Sequence, residues 1–262
     1  MAPRPTAVAL TVAGSDSGGG AGIQADLKTF AAHGVYGVSA ITAVTAQNTQ
    51  GVSAVQVLKP ATVLGQIGAV ITDFTVAAVK TGMLANATIV EAVARAIRSA
   101  QLAPLIVDPV MVAKSGDRLL DERALAALTR ELLPLAALVT PNLPEAEVLA
   151  GITVRLLEDQ REAARRIVAL GARAVVVKGG HAASGDIVDV LFDGQTFTEF
   201  HTERVPGTST HGTGCTFSAA ITAQLALGRS IQEAIPLAQA YVAKAIRNAP
   251  GLGHGHGPMG HL

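Results

Sequence analysis

The chain has 262 residues and carries 20 Lys plus Arg against 20 Asp plus Glu, so it has no formal charge with which to hold a polyanion. This balance excludes nucleic acid or an anionic membrane surface as the main partner. Aromatic residues make up 3% with no Trp, too few for a base-stacking platform, and the single Cys excludes an internal disulfide and suits a reducing cytosol.

No apolar stretch of membrane-spanning length is free of polar and glycine interruptions. The start, Met1-Ala-Pro-Arg-Pro, enters a strand-like segment without a separate apolar leader and cleavage site. The expectation is a cytoplasmic globular protein. Without a Pro/Gly/Ser-rich linker or charge block, the sequence is expected to form one domain over 1–262, loose at 1–6 and the extreme C-terminus.

Ala7 to Ala13 (AVALTVA) is a short apolar run closed by Gly14, the pattern of a strand buried on both faces. Ile23 to His33 follows with Ile23, Leu27, Phe30 and Ala31 at helical spacing. The alternation then repeats. Strands are predicted over Val38–Thr45, Ala77–Lys80, Leu105–Asp108, Leu138–Thr140 and Ala174–Lys178. Helices are predicted over Ala61–Ile71, Ala87–Ala100, Glu122–Leu132, Glu145–Ala150 and Gln160–Leu170. After Lys178 the rhythm changes: Asp186–Phe192 and Thr196–Phe200 flank Asp193-Gly194-Gln195, a hairpin with an Asp-Gly turn. Two helices, Gly212–Leu227 and Ile231–Asn248, precede a tail containing Gly-His-Gly-His-Gly-Pro. This order predicts an α/β fold: a mostly parallel central sheet, helices on both faces, right-handed crossovers and a small β-hairpin. In such sheets ligands bind beyond the carboxyl ends of the strands.

Those ends carry the chemistry. His211-Gly212-Thr213-Gly214-Cys215 opens the seventh predicted helix with a flexible turn and the only thiol. Converging N–H groups and the helix dipole there favour an anion and are expected to pull Cys215 toward its thiolate. A tight loop with a buried cysteine fits the pattern equally well. Gly14-Ser-Asp-Ser-Gly-Gly-Gly-Ala-Gly22 lets backbone approach a ligand, yet Gly20 stands where a Walker lysine belongs and the dinucleotide spacing is absent. Asp108 and Glu145 at strand ends can hold Mg²⁺ through water beside phosphate oxygens, or can simply cap a turn and a helix. Lys178 can meet a phosphate or stay solvated. The Gln47 carboxamide donates and accepts, as needed to read an amino group beside a ring nitrogen, and Met83 and Val110 fit either an apolar ring wall or core packing. The tail histidines His254, His256 and His261 have no fixed spacing or accompanying carboxylate, which argues against a metal site.

Taken in order, AGSDSGGGAGIQADLKTF (13–30), TAVTAQNTQGV (42–52), KTGML (80–84), VDPVMVAKSGD (107–117), TPNLPEAE (140–147), VKGGH (177–181), THGTGC (210–215) and GHGHGP (253–258) resemble the bacterial hydroxymethylpyrimidine/phosphomethylpyrimidine kinases of thiamine biosynthesis. The resemblance implies a ribokinase-like fold, ATP and Mg²⁺ as cofactors, a small pyrimidine substrate and a homodimer. It implies a pyrimidine pocket from Gly14, Asp26, Gln47, Met83 and Val110. Asn142, Glu145 and Lys178 fall on the nucleotide–metal side, with Asp108 positioning Mg²⁺. Met111–Leu119 would form a flap. Cys215 would accept the proton of the substrate hydroxymethyl group, while the Gly212, Thr213, Gly214 and Cys215 amides stabilise the transferring phosphoryl group. Ser209 departs from the asparagine common in relatives. Pyridoxal kinase is the runner-up, and a catalytically silent binding protein the third reading.

Overall fold

The computed structural model describes residues 6–111, 121–181, 186–207 and 209–261. The predicted flap beyond Met111 lies outside them. The elements are β1 (Val8–Asp16), α1 (Gly22–Ala32), β2 (Tyr36–Gln47), β3 (Val52–Val57), α2 (Pro60–Ile71) and β4 (Val76–Thr81), then α3 (Ala87–Ser99), β5 (Leu105–Val107) and α4 (Glu122–Ala127). They continue with β6 (Leu138–Val139), α5 (Leu143–Ala150), α6 (Leu157–Ala169) and β7 (Val175–Val177), and end with β8 (Ile187–Phe192), β9 (Phe197–Thr202), α7 (Thr213–Ala226) and α8 (Ile231–Arg247).

The strands form one nine-stranded sheet in the order β3-β2-β1-β4-β5-β6-β7-β8-β9. The pairings from β2 to β7 are parallel, while β3, β8 and β9 pair antiparallel at the edges. The predicted α/β class is confirmed. The hairpin is not a separate feature, because β8 continues the central sheet beside β7.

The apolar strands alternate their side chains between two helical layers. Leu105, Val107, Val175 and Val177 join the core built with Val63 and Ile67 of α2, Ile89 and Val93 of α3, and Ile167 of α6. Ile106, Leu138 and Val176 face the other way, onto Phe217 and Ile221 of α7 and Ala234 and Ile235 of α8. Phe30 of α1 meets Ala219 and Ala223 of α7 beneath Ala9. Helix α7 is buried continuously from Thr216 to Gln224, which fixes its start firmly against the strand ends.

Three local departures from the expected pattern have physical causes. Strand β3 was absent from the sequence reading. It follows a reversal in which the Asn48 side chain accepts from the N–H groups of Gln50 and Gly51, and its residues Ser53–Gln56 are exposed, so no core-facing pattern announces it. Helix α4 gives way to a wider π turn at Leu128–Leu132 and a 3-10 turn at Leu133–Leu135, where Pro134 cannot continue an α-helix. The tail is tied down by backbone: His256 N–H donates to Thr49 O at 2.9 Å and Gly260 N–H to Ala245 O at 2.9 Å.

Candidate active site

A cavity of about 740 Å³ lies along the carboxyl ends of the strands, a volume typical of a small-molecule site. Gly14, Gln47, Met83 and Val110 line it. Asp108, Asn142, Glu145 and Lys178 also line it, together with Gly212, Thr213, Gly214 and Cys215. Of the residues predicted from sequence, only Asp26 stands apart.

The two glycine segments explain each other. Gly212 caps α7 with φ +82, and a Cβ there would lie 1.9 Å from the Gly20 carbonyl oxygen. A Cβ on Gly20 would lie 2.5 Å from His211 Cδ2. These glycines let the first loop and the Gly212–Cys215 turn press together, backbone against backbone. Asp16, at the end of β1, is the hub of this contact. Its carboxylate accepts the N–H groups of Gly18 (2.8 Å), Gly20 (3.1 Å) and Ala21 (2.9 Å) and lies 2.9 Å from His211 Nε2. Burial would raise this carboxyl, but His211 and the amides outweigh it and hold Asp16 below its ordinary range.

Lys80 and Asp26 form the second cluster. Lys80 follows four apolar residues in β4 and is fully buried, with Nζ 2.9 Å from each Asp26 carboxylate oxygen. The Thr11 hydroxyl donates to the same carboxylate at 2.6 Å. Burial opposes a charge on Lys80, yet Asp26 outweighs it and keeps the ammonium protonated. Lys80 reaches the cavity; Asp26 lies behind it. The predicted place of Asp26 on the pocket wall is thus corrected to a supporting place. Its helix turns the side chain inward, and its charge is spent on Lys80.

Cys215 is the third residue of α7, partly exposed to the cavity. The helix start was expected to lower its pKa. Instead, burial pushes the thiol up to about 12; Lys80 opposes the rise and Asp108 and Asp26 add to it, while the Gly22 N–H eases ionisation a little. The protein therefore presents a thiol at neutral pH when no ligand is bound. Desolvation outweighs the few amides the helix start can offer.

The third cluster holds the remaining charges. Asp108 follows β5 and is 3% exposed; Ser218 Oγ donates to its Oδ2 at 3.2 Å and Lys178 Nζ lies 3.5 Å from its Oδ1. A Cβ on Gly214 would lie 3.3 Å from Lys178 Nζ, so the turn and this cluster are in contact range. Burial opposes a charge on Lys178, but Asp108 and Glu145 outweigh it and raise its pKa. Asn142 and Glu145 form a reciprocal capping box at the start of α5: each side chain accepts the other's backbone N–H at 2.9 Å. Burial pushes the Glu145 carboxyl up to about 7, with Lys178 opposing the rise and Asp108 adding to it. A further cation beside Glu145 would lower it.

Sequence reasoning missed Lys80, Asp16, His211 and Thr45. Lys80 had a signal: one lysine closing the otherwise apolar VAAVKT strand at the functional sheet edge. Asp16 and His211 lay in segments the sequence singled out, but their pairing spans 195 residues, and Thr45 acts through Ser15 and Gln47 on neighbouring strand ends, so no local pattern gave their roles.

Residues 16–260 match the family described as phosphomethylpyrimidine kinase. The Geobacter sulfurreducens thiamine biosynthesis bifunctional protein ThiED is 53% identical over 261 residues, covering 100% of this chain, which spans only 53% of that longer protein. The hydroxymethylpyrimidine/phosphomethylpyrimidine kinase of Bacillus subtilis is 51% identical, over 97% of this chain and 94% of its own length. Among solved structures, an ADP complex of Bacillus subtilis pyridoxal kinase superposes with a TM-score of 0.91 at 42% identity, covering 98% of both chains. A phosphomethylpyrimidine kinase from Clostridium difficile 630 gives a TM-score of 0.82 at 44% identity, covering 91% of this chain and 99% of that one. A family match over residues 16–260, with relatives about half identical over nearly the whole chain, places the chain in the phosphomethylpyrimidine kinase family, on a ribokinase-like fold.

Proposed function

We propose that the chain transfers the γ-phosphoryl group of ATP to the hydroxymethyl group of 4-amino-5-hydroxymethyl-2-methylpyrimidine. It then phosphorylates the monophosphate, giving the pyrophosphate used in thiamine biosynthesis. The observation that carries this reading is the single cavity in which Gln47 and Met83, the Asp108–Glu145–Lys178 charges and the Gly212–Cys215 turn converge.

The residues divide the work by chemistry. Met83 and Val110 offer apolar surface to a ring, and Gln47 a donor–acceptor edge. Lys178 and the first-turn amides of α7 neutralise charge on the transferring phosphoryl group. Asp108 and Glu145 supply an oxygen-only donor set that fits Mg²⁺, which lowers charge repulsion among the phosphates when bound. The substrate hydroxyl loses its proton late, as the bond to phosphorus forms, and Cys215 is the group placed to take it once its own thiol proton has left to solvent. Lys80, buried beside Cys215 and held ionised by Asp26, favours the thiolate this requires. Cytoplasmic location and a homodimer complete the reading, and sedimentation at micromolar concentration tests the latter.

Pyridoxal phosphorylation is the second reading, favoured by the 0.91 TM-score to a pyridoxal kinase. Mass analysis of products after incubation with Mg-ATP and the hydroxymethylpyrimidine decides whether none, one or two phosphoryl groups are added. A kcat/KM markedly higher on pyridoxal would reverse the preference.

A further inference from the structure

The contact between Asp16 and His211 constrains more than the loop. Asp16 accepts three backbone N–H groups and is thereby held ionised. A carboxylate oxygen 2.9 Å from His211 Nε2 requires a proton on that nitrogen, so Nε2 is a donor. Yet the Gln47 amide nitrogen lies 3.3 Å from it, so that two donors face each other. The same arrangement leaves the Thr45 hydroxyl 3.0 Å from the Ser15 carbonyl oxygen and 3.0 Å from the Gln47 amide oxygen, with one proton for two acceptors.

Turning the carboxamide by 180°, a nearly isosteric change, removes the donor–donor contact and the Thr45 conflict, and leaves the one His211 Nε2 proton shared between the Asp16 carboxylate and the amide oxygen. Thr45 then donates to Ser15 O and accepts from the Gln47 NH₂, while the amide oxygen faces the His211 Nε2 proton. Asp16, Thr45 and His211 are 3%, 4% and 9% exposed, so water does little to relieve a mismatch.

We propose that Asp16, His211 and Thr45 lock the Gln47 carboxamide in this sense, and that its polarity selects the donor–acceptor order of the ring edge admitted. The selection rests on the kinase reading above. His211 adjoins the Gly212–Cys215 turn, where the hydroxymethyl group must lie. In the proposed substrate the amino group is the ring neighbour of the hydroxymethyl group, and the ring nitrogen comes next. The amide oxygen, on the turn side, accepts from the amino group, and the amide nitrogen donates to the ring nitrogen. The 4-oxo counterpart, 5-hydroxymethyl-2-methylpyrimidin-4-one, offers an acceptor and then an N–H. It meets the locked amide with like against like. Asp16, His211 and Thr45 act through Gln47 and are positioning residues.

The test compares kcat and KM for the 4-amino and 4-oxo compounds in the wild type, Thr45→Val and His211→Asn. A site built to pair a buried edge rejects the mismatched one by large factors, so the wild type is expected to favour the amino compound by more than about a hundredfold. Each variant is expected to raise KM for the amino compound with kcat within about threefold, and to shrink the amino-to-oxo ratio at least about tenfold, because a freed carboxamide can turn to suit either edge. A ratio unchanged in folded variants, or a wild type that uses both compounds alike, overturns the selection. A wild type inert on both overturns the kinase reading together with the selection. The lock itself is read without substrate or variant, by nitrogen NMR of the ligand-free protein with His211 assigned among the seven histidines. A proton on Nε2 supports it, and a proton on Nδ1 alone overturns it.

Discussion

At Cys215 the helix start and the buried surroundings pull the thiol in opposite directions, and burial wins. Because it is the only cysteine, alkylation reads it cleanly. With the thiol pushed up to about 12, iodoacetamide labelling of the ligand-free protein is expected to keep accelerating above pH 10, where a free cysteine near pKa 8.5 has levelled off. At pH 8 the rate should fall at least about tenfold below that of free cysteine, the scarcity of thiolate outweighing its greater nucleophilicity. A plateau near pH 9 would show an activated thiolate instead. Cys215→Ala is expected to lower kcat by about 10²–10⁴, the usual worth of a positioned acid–base group, while ADP affinity measured by calorimetry stays unchanged. Lys80→Met strands the Asp26 carboxylate and is expected to cost about 3–5 kcal/mol in urea unfolding. The double variant Lys80→Met/Asp26→Asn should recover most of that stability but not turnover, which separates the ammonium's chemical role from its structural one. From sequence the helical spacing around Asp26 left its partner unknown, because periodicity does not say which buried charge awaits an inward carboxylate.

Among the elements, helix starts are the best test of how local sequence sets stability. Asn86 caps α3 by accepting the Ile89 N–H at 3.0 Å and does not line the cavity. Asn86→Ala is expected to lose about 1 kcal/mol of stability by chemical denaturation with kcat/KM unchanged, as for other lost N-caps. The cap at α5 is different in kind, since the reciprocal Asn142–Glu145 pair is both its cap and part of the cavity wall. The capping reading offered by the sequence for Glu145 therefore holds, and the same side chain lines the cavity. The buried parallel strands were legible because continuous branched apolar runs have few other uses. Strand β3 was not, since an exposed edge strand carries no burial pattern to read. The start of α7 was legible as a glycine turn; what its glycines press against was not, because Gly20 and Gly212 are far apart in the chain.

For the whole molecule, the sheet order explains why one cavity collects so many segments. The chain leaves β1 for β2 and β3 on one side and for β4 to β9 on the other, and the crevice opens where these directions part. Core strands with complete burial should exchange their amide hydrogens last. Val107, Val139 and Val176 are expected to be the slowest, and edge positions in β3 and β9 to exchange far sooner, in a native-state hydrogen-exchange experiment. Early exchange of the central strands would contradict this placement of the core. Sequence alone gave access to this architecture through the strand–helix rhythm and its motifs. The cross-chain hydrogen bonds that orient the site had to be seen in three dimensions.

The pairing of Asp16 with His211 has a consequence for the protein's synthesis. Asp16 waits for a partner synthesised 195 residues later, and the segment beyond His211 then seats itself through Pro258 and His256. A chain released early from the ribosome can build much of its sheet, yet its pocket lacks one face.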